Sequence, residues 1–249
     1  MIWQYAIEHC GKRQARLCAG GHTTKIEEGD CTYSSVVSLR TLCIALLIGK
    51  LNNLNIMVGD ILSAYLMAET KEKVFFIAGH EFGDRAGHLM VMRKACYGLK
   101  TSGKRYHDLI YDVMSSFGFK PSLADADISM RDAGDHYGYV CIYTDDITYI
   151  GKHEDKFFDE LRGAGFDLKD VIKNPTVFLG GSVSRDADGT LAWGAKHYID
   201  RSLQNKESMT GSLPHKANIP MHSDTHPELD MFQHILILTL NWMSIGVSR

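Results

Sequence analysis

Two hydrophobic rhythms run along the chain. Over 102–117, apolar or aromatic side chains recur at Tyr106, Leu109, Ile110, Val113, Met114 and Phe117, which is one face of a helix. Ser102 can cap its start and Gly118 ends it. Residues 38–52 predict an apolar helix, with Ser34 or Ser35 as its cap. Shorter runs rich in Val, Ile, Tyr and Phe predict strands: LNIMVG leading into Asp60, VFFIA at 74–78, LMVMR at 89–93, DISMR at 127–131, YGYVCIY at 137–143 and ITYIG at 147–151. EDKFFDELRGAG predicts a short helix closing at glycine. TVFLGGSV and TLAWGA predict a hairpin whose turn Asp188-Gly189 favours. Helices at 196–209 and 228–246 complete the pattern. The segment 214–227 holds three of the five prolines and reads as a loop or linker. A strand, a helix and a returning antiparallel pair predict an α+β fold around a split βαβ core.

One stretch violates the strand rhythm. In YVCIYTDDITYIG (139–151), Asp145 and Asp146 interrupt a β-rich run. Adjacent side chains of an extended strand point to opposite faces, so one carboxylate would meet the core, at a cost of several kcal/mol. A tight turn at the aspartates removes the conflict and sends both to a sheet edge. A bound cation would then compensate their charge. Mg²⁺ takes few carboxylates, several waters and phosphate oxygens, and a third carboxylate would hold two ions about 4 Å apart. Asp60, which also ends an apolar strand, is the candidate. Paired aspartates are equally an ordinary turn choice.

Composition adds little: 45% hydrophobic, 23% charged and net charge −3 describe a globular chain of 249 residues. Charge distribution adds more. Residues 93–107 hold five Lys/Arg and no acid, whereas 121–160 hold ten Asp/Glu against three Lys/Arg. That contrast fits a basic face beside an acidic pocket, or a surface mosaic. The six cysteines show no metal spacing and read as free thiols of a reducing compartment. No secretory signal opens the chain, so an intracellular location is expected: cytoplasmic, nuclear or within a virus-like particle. Residues 231–247 carry no formal charge, yet they are shorter than a membrane span requires and include Gln233, His234 and Asn241; no membrane partner is expected.

The ordered landmarks resemble the reverse transcriptase of copia-type (pseudovirus) retrotransposons. YTDD resembles the family's Y-x-D-D box. KRQARLCAGGH, YSSVVSLRTLCIALLI, MVGDILSAYL, KACYGLKTSGKRYHDLI, FGFKPSLADADISMR, FLGGSV and HPELDMFQHILILTLNWMSIG follow the family's blocks in order. Gly103 stands where the family has Pro, and Thr144 where Val is commoner. The chain begins at the ARL strand, so truncated fingers are expected, and no protease, integrase or ribonuclease H segment accompanies it.

The resemblance implies a right-hand polymerase: a ferredoxin-like palm, truncated fingers and a partial thumb. Residues 1–53 would be partial fingers, 54–73 palm, 74–101 fingers and palm, 102–185 palm with the primer-grip strand, and 186–249 the hairpin and partial thumb. It implies RNA-directed DNA synthesis, with the primer 3′ oxygen attacking an incoming nucleotide's α-phosphate at two Mg²⁺ ions, Mn²⁺ being the alternative. Asp60, Asp145 and Asp146 would be catalytic metal ligands, joined by the Ile61 carbonyl. Lys12, Arg13, Arg16, Ala64, Tyr65, Tyr97 and Gly98 would bind the deoxynucleoside triphosphate, Tyr65 excluding a ribose hydroxyl. Lys100, Lys104 and Arg105 would meet template phosphates. Tyr143, Thr144, Phe178, Leu179 and Gly180 would hold the primer. Partners would be an RNA or DNA template with its primer, and residues 1–20 would self-associate through an uncovered ARL strand. A different class stays open: an inactive or domesticated fragment that binds nucleic acid without catalysis.

Overall fold

A computed structural model describes residues 1–7, 13–25, 29–179, 181–185 and 191–211. The chain divides into two units, Met1–Ile199 and Asp200–Arg249. The first contains β1 (Ile2–Ile7), β2 (Arg13–Cys18), α1 (Leu39–Leu51), β3 (Asn55–Ile61), the single-turn α2 (Ala64–Met67), β4 (Phe75–Ile77) and β5 (Leu89–Val91). There follow α3 (Ser102–Ser116), β6 (Lys120–Pro121), β7 (Ile128–Asp132), β8 (Tyr137–Tyr143), β9 (Asp146–Gly151) and α4 (Glu154–Gly163). The last elements are β10 (Leu168–Lys173), β11 (Val177–Phe178), β12 (Gly181–Arg185), β13 (Leu191–Gly194) and α5 (Lys196–Thr210), which runs into the second unit. The expected helix at 228–246 and the Asp188-Gly189 turn lie outside the described residues.

Six strands form one antiparallel sheet in the order β10-β3-β9-β8-β7-β6. β9 separates β3 from β8, the two strands that α3 connects, which is the split βαβ arrangement. Strand alternation explains the layers. Met57, Val140, Ile147 and Tyr149 face Tyr106, Ile110 and Met114 of α3 and Phe157, Phe158 and Leu161 of α4. Their neighbours Ile56, Val58, Cys141 and Ile150 point the other way, onto Leu42, Ala45 and Leu46 of α1. The sheet is buried on both faces, so its central strands read as continuous apolar runs.

Several local expectations need correction. Ser38, not Ser34 or Ser35, caps α1: its side chain accepts from the Thr41 amide at 3.1 Å. Thr101 is the N-cap of α3. Ser102 is instead the first helical residue, and its hydroxyl donates to the Cys96 carbonyl at 2.6 Å. Gly118 ends that helix as expected, with φ +82°. One edge of the ARL strand is covered, since β1 pairs along the whole of β2 from Ile2–Cys18 to Ile7–Arg13; among the described residues the ribbon stops at two strands and leaves Ile2, Tyr5 and Ile7 exposed. β10 was not legible in LKDVIK because it is a half-exposed edge strand whose register shifts between Lys169 and Ile172.

Candidate active site

The β8–β9 hairpin resolves the conflict posed by the adjacent aspartates. Tyr143 pairs with Asp146 across it, so Thr144 and Asp145 form a two-residue loop. Such loops call for left-handed backbone. Thr144 supplies it with φ 55°, a conformation that strains a β-branched residue by about 1–3 kcal/mol. The neighbouring sheet holds it there, and the Ile61 amide donates to the Asp145 carbonyl at 2.8 Å.

Asp60 lies directly opposite Asp146 in the β3–β9 register. Opposed residues of an antiparallel pair share a face. Asp60, Ile61 and Asp145 line a cleft of about 800 Å³. Gly59 makes the approach: a Cβ there would lie 2.8 Å from the Phe158 ring, so only glycine lets the helix pack beneath this end of the strand. Two further non-glycine residues with positive φ flank the carboxylates, Ser63 (53°) and Asp170 (50°).

The three acids repel one another. Burial, and then the Asp145 charge, push Asp60 up, with Lys169 partly offsetting them. Burial, followed by the charges of Asp145 and Asp60, raises Asp146 to about 6. Crowded, half-buried carboxylate oxygens are the hard donor set that a divalent cation would neutralise, so these residues fit Mg²⁺ or Mn²⁺. Lys169, paired with Asp60 across β10–β3, lines the cleft as well. Sequence reasoning missed it together with its strand.

The wall of the cleft is a stack. The Arg16 guanidinium lies 5.1 Å from the centre of the Tyr97 ring. Tyr97 meets Tyr65 edge-on at 5.1 Å, and Tyr65 meets Tyr106 at 6.1 Å. Arg16 and Tyr97 line the cleft, whereas Tyr65 lines a smaller chamber behind it. Ala64 is buried in the core beneath Tyr65. Arg13 is exposed on β2, opposite Ile7. Gly98 has φ +91°, and a Cβ there would meet the Ala19 carbonyl oxygen at 2.1 Å. The Ala19 amide donates to the Tyr97 carbonyl at 2.7 Å, so glycine lets the end of β2 dock beside Tyr97.

The other expected contacts are scattered. Lys100 donates to the Thr24 carbonyl at 2.8 Å, Lys104 pairs with Asp108, and Arg105 pairs with Asp30 at 3.2 Å. Tyr143 is exposed beside the aspartates. Phe178 is buried against α1's layer, and Leu179 adopts φ 46°. Lys12 and Gly180 lie outside the described residues. A separate group, Asp135, His136 and His153, has the composition of a metal site. Its chemistry is already satisfied: the Lys152 amide donates to His136 Nε2 at 3.1 Å, which leaves Nδ1 to donate to Asp135 at 2.6 Å. Among the described residues, no helix is long and apolar enough to cross a membrane.

Comparison with known proteins converges on one family. Residues 3–223 match the family described as Reverse transcriptase (RNA-dependent DNA polymerase). The chain is 25% identical over 142 residues to the "Retrovirus-related Pol polyprotein from transposon RE1" of Arabidopsis thaliana, covering 55% of this chain and 10% of that protein. The corresponding transposon RE2 polyprotein of the same plant gives the same identity and coverage. The chain thus spans about a tenth of the length of these curated relatives. With nearly the whole chain matched and both relatives retrotransposon polyproteins, the protein belongs to the reverse transcriptase family, in its copia-type branch.

Proposed function

We propose that the chain is the RNA-directed DNA polymerase portion of a retrotransposon polyprotein, catalysing nucleotidyl transfer at Asp60, Asp145 and Asp146. The observation that carries this reading is the convergence of three carboxylates from two distant segments at the ends of the neighbouring strands β3 and β9, where Asp60 and Asp145 line an open cleft and Asp146 lies opposite Asp60. On this reading the six-stranded sheet with α3 and α4 is the palm. The β1–β2 and β4–β5 ribbons belong to the fingers, and the thumb begins after β13. Bound Mg²⁺ or Mn²⁺ supplies charge neutralisation for the attacking and leaving oxygens.

The residues divide the work by position. Asp60 and Asp145, open to the cleft, would hold the cations; Asp146, more enclosed, would support them from the primer side, and the Ile61 carbonyl would be a further oxygen donor. Arg16 and Tyr97 offer a cation and a π-face to the triphosphate and its nucleoside. Arg13 and Lys12 add further cations for the phosphates. Tyr65, wedged between Tyr97 and Tyr106, backs the sugar, with Ala64 fixing its turn. Gly98 leaves room for close backbone approach. Tyr143 and Thr144 meet the primer end, and Phe178, Leu179 and Gly180 position it. Lys100, Lys104 and Arg105 supply template phosphate contacts, for which their present partners Thr24, Asp108 and Asp30 must compete.

Primer extension tests the assignment. Incubated with a primed RNA template, deoxynucleoside triphosphates and Mg²⁺, the chain is expected to lengthen the primer in a template-directed manner. Template binding without extension in either Mg²⁺ or Mn²⁺ would establish a binding module instead.

A further inference from the structure

The β4–β5 ribbon turns one face to the cleft and the other away from it. Phe76 lines the cleft together with Phe82, their ring centres 5.6 Å apart. Strand alternation sends its neighbours Phe75 and Ile77 to the opposite face, where they pair with Val91 and Leu89. The four side chains form two adjacent rows, Phe75 with Val91 and Ile77 with Leu89, and each residue is between 66% and 72% exposed. Together they present on the order of 500 Å² of apolar surface in one block, near the upper end of what a monomer carries. Among the described residues the ribbon is two strands only, without the second layer that stabilises a sheet.

Charge is graded along the same ribbon. At its base, Lys71 and Lys73 lead into β4 and Arg93 and Lys94 follow β5, outnumbering Glu69 and Glu72. At its tip, Glu81 and Asp84 outnumber Arg85. The Glu81 carboxylate is fixed in place. Trp3 Nε1 donates to it at 3.2 Å, and it folds over Gly79, where a Cβ would collide with it. Gly79 stands two residues beyond Ile77, so an acid closes the end of the apolar block that is far from the lysines.

We infer that this outer face is a docking surface for a second copy of the chain, with the two ribbons packed face to face and antiparallel about a two-fold axis. A half-turn through the centre of the block lays the Phe75–Val91 row of one copy on the Ile77–Leu89 row of the other. The same rotation sets each basic base against the partner's acidic tip. The pattern is therefore self-complementary, in its apolar rows and in its charge, and that selects a second copy as the occupant. Two such faces bury on the order of 1,000 Å², the lower limit for a specific interface. Association is accordingly weak, with a dissociation constant on the order of 10 µM. The carboxylate cleft stays open in the pair, because it lies on the Phe76 side of the ribbon.

Sedimentation equilibrium of the whole chain at low salt tests this. The parent is expected to pass from monomer to dimer between about 1 and about 100 µM, and to stop there, because a two-fold contact closes on itself. Leu89→Glu puts a carboxylate into the apolar block. It is expected to weaken dimerisation at least about 10-fold with unchanged circular dichroism, since Leu89 is exposed in the single chain. Glu81→Lys with Asp84→Lys is expected to weaken it about 3-fold, and adding Lys71→Glu and Lys73→Glu is expected to restore it. Tyr5→Ser, on the β1–β2 ribbon, is expected to change nothing. A parent that stays monomeric over this range, or that grows beyond a dimer, would overturn the docking surface. Dimerisation that survives Leu89→Glu, or that Tyr5→Ser abolishes, would overturn it too. A fourfold charge exchange that restores nothing would overturn the antiparallel arrangement.

Discussion

The six-stranded sheet and the two-stranded ribbons use similar residues to opposite effect. In β9, Ile147, Tyr149 and Ile150 are essentially inaccessible, held between α1 on one face and α3 with α4 on the other. In β4–β5, Phe75 opposes Val91 and Ile77 opposes Leu89, yet all four are about two-thirds exposed or more. Tyr5 and Ile7 of β1 are more exposed still. A two-stranded ribbon has no second layer and is marginal alone. The sheet can therefore hold a strained turn and three repelling carboxylates, because its core supplies what that arrangement costs. The ribbons contribute a wall to the cleft and depend on a few anchors, among them the Ala19–Tyr97 hydrogen bond and the bond from Trp3 Nε1 to Glu81 at 3.2 Å.

The sharpest way to break the comparison is at the carboxylates. Asp145→Asn keeps shape and loses charge. Primer extension should fall at least about 10³-fold, equivalent to roughly 4 kcal/mol of transition-state stabilisation, with an unaltered circular dichroism spectrum. Retained extension would remove Asp145 from the chemistry. Next, Phe157→Ala in the doubly covered core should cost about 3–5 kcal/mol in urea unfolding, whereas Ile77→Ala on the ribbon should stay within about 0.5 kcal/mol. Equal losses at the two sites would mean that the ribbons are structurally committed after all.

Tyr65→Val probes the wall. Opening the space between Tyr97 and Tyr106 should raise ribonucleotide incorporation roughly 10²-fold, or ~2.7 kcal/mol, with little change for deoxynucleotides. Paired single-nucleotide incorporation rates decide it, and equal discrimination would make Tyr65 a packing residue.

A smaller effect follows from pH. Asp146 has a folded pKa raised to about 6, and Asp60 is raised as well. Below the unfolded value near 4 both states are protonated, so the folded site bears no penalty. As pH rises toward 6 the unfolded chain ionises first, and stability falls by about 1–3 kcal/mol before levelling off. Asp127 and Glu72, both held below their ordinary values, act in the opposite sense: their contribution is present above the unfolded carboxylate range and is lost as pH falls below it. Metal-free Asp146→Asn should therefore be more stable than the parent at pH 7 and nearly equal to it at pH 4. Denaturant midpoints across that interval measure it, and parallel curves would refute the raised value.

Legibility in the sequence tracks the same divide. The core strands and α3 could be read because burial on a fixed face leaves a periodic trace, as at Tyr106, Ile110 and Met114. The aspartates were legible as a violation of that trace. β10 was not, since an edge strand with a register shift has no clean alternation. Nor could Arg105's pairing with Asp30 be foreseen, because the partners meet only through the fold, whereas Lys104–Asp108 follows from helical spacing. Lys169 escaped for a related reason: what distinguishes it is the Asp60 carboxylate on the strand beside it.

The sheet order also sets a timetable for synthesis. β3 lies between β9 and β10, and both leave the ribosome after it. At roughly 5–20 residues per second, the apolar NIMVGDI segment waits about 5–20 s for its first neighbour, with both hydrogen-bonding edges open. A nascent chain halted near residue 140 should therefore recruit a holdase chaperone, and one halted beyond 180 should release it. Ribosome-bound chains stalled at those two lengths, compared by chaperone crosslinking, would show whether pairing both edges of β3 is also what completes folding.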